Sequence, residues 1–312
     1  MGFGTGQVRT NSALESFAQM YVQEAGQFAA DGVAQPLKTT KESGVYYLFD
    51  RGAWRTDDLL RAPGAEAAKI HLAELSTNTY AIQEFAAKDF VPIREIENAD
   101  SPLTPLQDTT ALLINKLLVQ KEVSAFTVFG TATAAGTVNS LAATVKWDAT
   151  TTAVPINNVG LGSDTILSAT GRRGNVGTMN QDTFRVLKDA EDIVDRVKHT
   201  QMGVLSLDII TSALDLDKIN LTQATRLTSA EGVGAETTAF VFGDNFLIQH
   251  QPARASVKNV ANGYQFSNKP GEIRVKDYFD EARNAQVVEA SMFYDFRVVA
   301  SIAGYLIIDT VA

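Results

Sequence analysis

SPLTPLQDTTALLINKLLVQKEVSAFTVFG, residues 101–130, decides how the rest of the chain is read. Two helix-start signals stand side by side, Ser101-Pro102 and Thr104-Pro105-Leu106-Gln107. Proline at the first helical position loses no hydrogen bond, and Thr104 followed three residues later by Gln107 fits a capping box. No breaker interrupts the run until Gly130, which suits a helix C-terminus. The pattern predicts one helix over Pro105–Phe129, about 38 Å long at the standard rise. Globular helices average about 11–12 residues. Leu106, Leu113 and Leu117 share one stripe; Leu112, Val119, Val123 and Phe126 share its neighbour. So broad an apolar surface predicts packing on two sides.

The hundred residues before this helix carry no dense core pattern. Residues 1–43 read as an arm or as a disordered terminus, with a helix over Ala13 to Ala30 weakened by Gly26 and Gly32, and a polar, Pro-marked stretch from Leu37 to Gly44. Residues 44–99 read as extended. Val45-Tyr46-Tyr47-Leu48-Phe49 has strand composition, a charged excursion with breakers Gly52 and Pro63-Gly64 follows, and Lys69 to Tyr80 reads as extended again. Long excursions inside domains are uncommon and usually functional or disordered. Trp54, Arg55 and Arg61 are its candidate contact residues, since Trp and Arg are enriched at interface hot spots.

After the helix, Leu141 to Trp147 reads as a strand, Asn175 to Met179 as a short strand, and Thr183 to Lys198 and Leu205 to Leu214 as helices. The remainder is strand-dominated, over Lys218–Leu227, Ala239–Gln249, Ile273–Phe279, Gln286–Val299 and a buried Gly304–Ile308.

The chain has 312 residues, 45% hydrophobic and 20% charged, which fits a soluble globular protein of one large or two modest domains. A net charge of −9 disfavours tight sequence-specific nucleic-acid binding, which needs clustered Lys and Arg. It does not exclude lying beside DNA without gripping it. With no cysteine there is no disulfide, thiolate nucleophile or Cys-based zinc site. The first residues show no signal-peptide pattern, and no apolar run is long enough to span a membrane. The sequon Asn220-Leu221-Thr222 reads as chance without secretion.

Candidate chemistry is sparse. His71, His199 and His250 form no metal-type pair. Gly2-Phe3-Gly4-Thr5-Gly6 and Gly160-Leu161-Gly162-Ser163 are incomplete as phosphate loops, and the second reads as a plain loop. Gly171-Arg172-Arg173-Gly174 fits either an anion site or a turn with solvated charges. Glu191-Asp192 reads as an exposed charged helix face. Gly232 and Gly234, in TSAEGVGAETT, read as a loop tip: a plain hairpin connection or a contact loop at a symmetry axis. Catalytic, cofactor-binding and metal residues are none.

The order of segments resembles the major capsid proteins of tailed double-stranded DNA bacteriophages, an α+β Hong Kong 97-like fold. The carrying segments are Thr104–Gly130 with Val145-Lys146-Trp147-Asp148; Thr170-Gly171-Arg172-Arg173-Gly174-Asn175 with the helix after it; Leu214–Ile219; Phe240–Asn245 ending at Pro252; and Gly263–Phe266, Val275–Tyr278, Asp295–Ala300 and Gly304–Ile307. One departure is expected: the family's helix after Trp147-Asp148 is not evident in TTTAVPINNVGLG. The resemblance implies an N-terminal arm (1–43), an E-loop (44–80), a P-domain with a spine helix (81–150), an A-domain (151–270) and further P-domain strands (271–312) with a possible return to the A-domain. It implies many copies of the chain as hexamers and pentamers of an icosahedral head. It further implies a portal protein, a scaffold, possibly a decoration protein, non-specific contact with packaged double-stranded DNA, no membrane, and assembly in the host cytoplasm into the virion. Met1 predicts that no N-terminal scaffold segment has been removed. The competing readings are an encapsulin-like nanocompartment shell, a tail-tube or other phage structural protein, and a soluble α+β enzyme with an unrecognised site.

Overall fold

The computed structural model describes residues 28–48, 60, 66, 76–99, 104–142, 144–149, 152–198, 205–229, 237–256, 259–269, 271 and 273–311. Its elements, in chain order, are α1 (Ala30–Val33), β1 (Gln35–Lys38), β2 (Ser43–Tyr47), β3 (Thr77–Ala81), β4 (Gln83–Pro92), α2 (Ile93–Glu97), α3 (Pro105–Phe129), β5 (Thr137–Ser140), α4 (Pro155–Thr170), β6 (Val176–Asn180), α5 (Gln181–Asp189), α6 (Glu191–Val197), α7 (Leu207–Ala213), β7 (Lys218–Thr222), β8 (Thr225–Leu227), β9 (Thr238–Phe240), β10 (Phe246–Gln249), β11 (Gly263–Ser267), β12 (Arg274–Asp280), β13 (Ala285–Val298) and β14 (Gly304–Ile308).

Helix α3 has the bounds that the sequence predicts, but the capping box does not form. Thr104 makes no side-chain cap; instead its N–H donates to Asp108 Oδ2 at 3.3 Å. The acidic residue in the first turn takes the role, as charge near a helix N-terminus favours. The buried positions are Thr110, Leu113, Ile114, Leu117, Leu118, Lys121, Glu122, Ala125, Phe126 and Phe129, one stripe at spacings of three and four. Leu112 lies off this stripe and is 49% exposed.

That stripe covers a sheet, here called A, ordered β1-β11-β13-β12, with β4 also on β13. The long strand β13 organises it. Its first part pairs antiparallel with both β12 and β4, and its last residues pair with β11. Close approach has a cost in side chains: a Cβ on Gly263 would sit 2.4 Å from the Phe129 ring. The Pro-marked stretch after Leu37 is only partly irregular, because β1 joins sheet A parallel to β11.

A second sheet, B, runs β5-β14-β10-β6-β7. Alternation along its strands divides two cores. Leu247 and Leu306 face the α3 core, while Phe246, Ile248, Tyr305 and Ile307 face a core covered by α4–α7.

Several expectations are corrected here. Leu141 to Trp147 is not a strand. The strand is β5, and the chain then turns so that Trp147 packs edge-on against Phe246, centroids 5.4 Å apart. The helix judged missing after Trp147-Asp148 is present as α4, and Gly160–Ser163 lies inside it rather than in a loop. Glycine at 162 is the reason: a Cβ there would meet Ile248 at 2.6 Å and Tyr305 at 2.8 Å, so glycine lets the helix lie close on sheet B. Pro155 opens α4, Asp192 Oδ2 accepts from the Ile156 N–H at 3.2 Å, and Gly171 closes it in the left-handed region at φ 65°. Asp192 is therefore a helix cap rather than a simply solvated charge. The helix expected over Thr183–Lys198 is two, α5 and α6, broken at Ala190.

Candidate subunit-contact surfaces

The excursion between β2 and β3 starts from a fixed base. These strands pair antiparallel, Ser43 opposite Ala81 through Tyr47 opposite Thr77. Alternation sends Tyr46 inward, 2% exposed, and leaves Val45 and Tyr47 outward at 61% and 51%. Tyr46 and Tyr80 both pack on Phe266, at centroid distances of 5.3 and 4.5 Å. The Tyr46 hydroxyl donates to Val298 O at 3.2 Å, and the Ala81 N–H donates to Asp295 Oδ2 at 2.9 Å. Arg297 Nε donates to the same carboxylate oxygen at 2.8 Å. A rigid aromatic base thus presents two exposed apolar side chains and a long excursion.

A groove of about 350 Å³ runs between α3 and sheet A. Val123, Thr127 and Val128 form its helix wall; Phe85, Tyr294 and Phe296 form its sheet wall. Phe85 stacks on Tyr294 at 4.4 Å, and the Tyr294 hydroxyl lies 3.4 Å from Ser124 Oγ. Of the neighbouring stripe expected from the sequence, Val123 faces this groove, whereas Phe126 packs into the core against Phe242 at 4.5 Å.

On another side of α3, the short α1 is gripped at both ends. Glu122 is fully buried, and its carboxylate accepts from the Ala29 and Ala30 N–H groups at 2.9 and 2.8 Å and from Thr222 Oγ1 at 2.9 Å. Burial pushes this carboxyl above its ordinary range, against the pull of those donors and of Lys121. Lys121 Nζ bonds Asp31 at 2.5 Å. At the far end, Asn220 and Gln251 donate to Gly32 O at 2.9 and 2.8 Å, and Gln249 and Gln251 donate to Val33 O at 2.8 and 2.7 Å. The sequon at Asn220 is thus a structural amide beside a structural hydroxyl.

Strands β8 and β9 pair antiparallel, with Leu227 58% exposed. The ladder extends to Thr228, whose N–H donates to Thr237 O at 2.9 Å. Strands β8 and β9 thus anchor the two ends of the segment that carries Gly232 and Gly234. Gly232 and Gly234 themselves, Trp54, Arg55 and Arg61 lie outside the described residues, as do His71, His199 and residues 13–27 of the arm. The Arg172-Arg173 segment is a turn after α4 in which Arg173 pairs with Asp215. His250 is buried, Nδ1 lies 2.8 Å from Arg173 O, and burial lowers its pKa. Among the described residues no group of three metal-ligating side chains occurs, and no helix is long and apolar enough to cross a membrane. The Glu122 site left no signal in the sequence beyond a charged pair, Lys121-Glu122, interrupting an apolar helix face.

No protein-family model matches the chain. The major capsid protein of Burkholderia phage BcepMu is 21% identical over 198 residues, and the match spans 64% of this chain and 64% of that relative. A solved phage-related protein from Bordetella bronchiseptica RB50 is similar with a TM-score of 0.75 and 18% identity, over 96% of this chain and 97% of that one. A virus-like particle from Pyrococcus furiosus reaches 0.56 at 11% identity, over 95% and 98%. The capsid of cyanophage P-SCSP1u also reaches 0.56 at 11% identity, over 88% and 86%. The chain shares this α+β fold, the Hong Kong 97-like arrangement expected from its sequence, over nearly its whole length.

Proposed function

We propose that this chain is the major capsid protein of a tailed double-stranded DNA bacteriophage, and that its role is structural rather than enzymatic. The observation that carries the reading is the fold shared with the cyanophage capsid over most of both chains, with a phage major capsid protein as the curated relative. The physical layout agrees. A stable interface buries on the order of 1,600 Å², and a shell subunit needs several at once. The β2–β3 excursion and the chain N-terminal to Phe28 supply reach that a compact core lacks. An acidic subunit also suits a lining that must not grip packaged DNA.

On this reading residues 1–43 are the arm, 44–80 the E-loop, and α3 the spine helix of a P-domain built on sheet A. Sheet B with α4–α7 is the A-domain, to which β14 returns. Trp54, Arg55 and Arg61 contact a neighbouring subunit, and Gly232 and Gly234 lie near the capsomer centre. The copies form hexamers and pentamers of an icosahedral head assembled in the host cytoplasm, with portal, scaffold and possibly decoration proteins as partners. The virus-like particle matches as well as the cyanophage capsid, so an encapsulin-like nanocompartment shell is the second reading.

Electron microscopy of the purified chain is the test. Closed shells tens of nanometres wide are expected; a discrete monomer or dimer with catalytic turnover overturns the reading. Nuclease-resistant double-stranded DNA inside particles from infected cells separates the head from a nanocompartment. Trp54→Ala combined with Arg55→Glu is expected to abolish shells while leaving a folded subunit, and normal shells from that variant would remove both residues from the interface.

A further inference from the structure

We propose that the turn Ala29–Ala34 is a clasp through which the N-terminal segment sets the position of sheet B against helix α3. A helical turn this short is not stable alone, because nucleation costs more than one turn returns. Here side chains from elsewhere hold its backbone at both ends. Glu122, from α3, caps the N-terminal N–H groups; Asn220 from β7, Gln249 from β10 and Gln251, two residues past β10, cap the C-terminal carbonyls. The two sets of holders belong to different elements, so the turn adds a polar link between them beside the direct packing of Leu247 and Leu306 on the α3 core.

Three further observations mark the link as built. A side chain at Gly32 would push Asn220 off the Gly32 carbonyl, since a Cβ would lie 2.5 Å from Asn220 Oδ1. Gln251 is itself braced: Asn175 Nδ2 donates to Gln251 O at 2.9 Å, and the Gln251 N–H donates to Asn175 Oδ1 at 2.8 Å. Thr222 of sheet B bonds Glu122 directly, closing the circuit. Ala29, Ala30, Val33 and Ala34 are buried between the two. Breaking either grip leaves buried polar groups unpaired, so the turn moves with both holders or leaves both. The clasp does not rest on the capsid reading.

Hydrogen exchange read by mass spectrometry on the full chain tests it. Glu122→Gln sets an amide NH₂ against backbone N–H groups, and Gln251→Ala weakens the opposite grip, leaving Asn220 on Gly32 O and Gln249 on Val33 O. Each is expected to speed exchange of residues 28–34 on the order of tenfold, the scale of a lost buried hydrogen bond. Each is also expected to act across the clasp, Glu122→Gln on residues 246–251 and Gln251→Ala on residues 118–126. The double variant is expected to be no faster than the faster single one. Purely local, multiplicative effects overturn the proposal. So does Leu113→Ala, which weakens α3 away from the turn, if it gives the same pattern. Thr222→Val serves as the milder lesion if Glu122→Gln fails to fold. If the wild-type chain forms no shell, the capsid reading fails while the exchange rates still decide the clasp.

Discussion

Two glycines two residues apart in α4 have opposite meanings. At Gly160 a Cβ would meet nothing within 4 Å, whereas at Gly162 it would strike Ile248 and Tyr305. Gly160→Ala is therefore expected to stabilise the fold by about 0.5–1 kcal/mol through helix propensity. Gly162→Ala is expected to destabilise it by about 1–3 kcal/mol through overpacking. Denaturant unfolding of both variants checks the sign of each. Glu122 gives a pH signature. Burial raises its native pKa above 4.5, so the native chain holds this proton more tightly than the unfolded one. The stability it contributes is complete below pH 4.5 and is lost as pH rises through the raised value. The stability difference between wild type and Glu122→Gln should fall with rising pH across that window. A difference that grows instead would show that the capping donors outweigh burial.

Elements were legible where one periodicity ran without interruption. The bounds of helix α3 and its Leu113–Leu117 stripe are readable because apolar positions recur at three or four and nothing breaks the run, whereas the neighbouring stripe is only partly buried, with Leu112 exposed. Leu117→Ala is expected to cost about 2–5 kcal/mol as a core truncation, while Leu112→Ala, half-exposed, is expected to stay within about 1 kcal/mol. Equal losses in urea unfolding would mean that the stripe is misassigned. Helix α4 was illegible for a physical reason. Its glycines and paired asparagines read as a loop, yet Gly162 serves contact with a sheet far away in sequence, and the carboxylate near its start comes from Asp192. The break at Ala190 and the docking of α1 are likewise tertiary: neither Glu122 nor Gln251 announces that it will hold another segment's backbone. The contact residues proposed for assembly were argued from composition alone, and only their anchors are seen, the aromatic base under β2–β3 and the ladder of β8–β9.

For the whole molecule, a charge of −9 on each copy opposes crowding into a shell. The Debye length shrinks from about 30 Å at 0.01 M salt to about 10 Å at 0.1 M. Assembly followed by light scattering is expected to speed up over that range, and a slowing would mean that attraction between opposite charges dominates the contacts. The chain's connectivity carries one more consequence. β14 lies between β5 and β10, yet it is the last strand described. During synthesis β5 is made early and has no partner in the sheet until residues 304–308 exist. The half-finished chain therefore stays open through its middle, with the seats of Leu306 and Ile307 empty. A copy closes sheet B only once residues 304–308 have been made, so a chain that stops short of them lacks that finished surface.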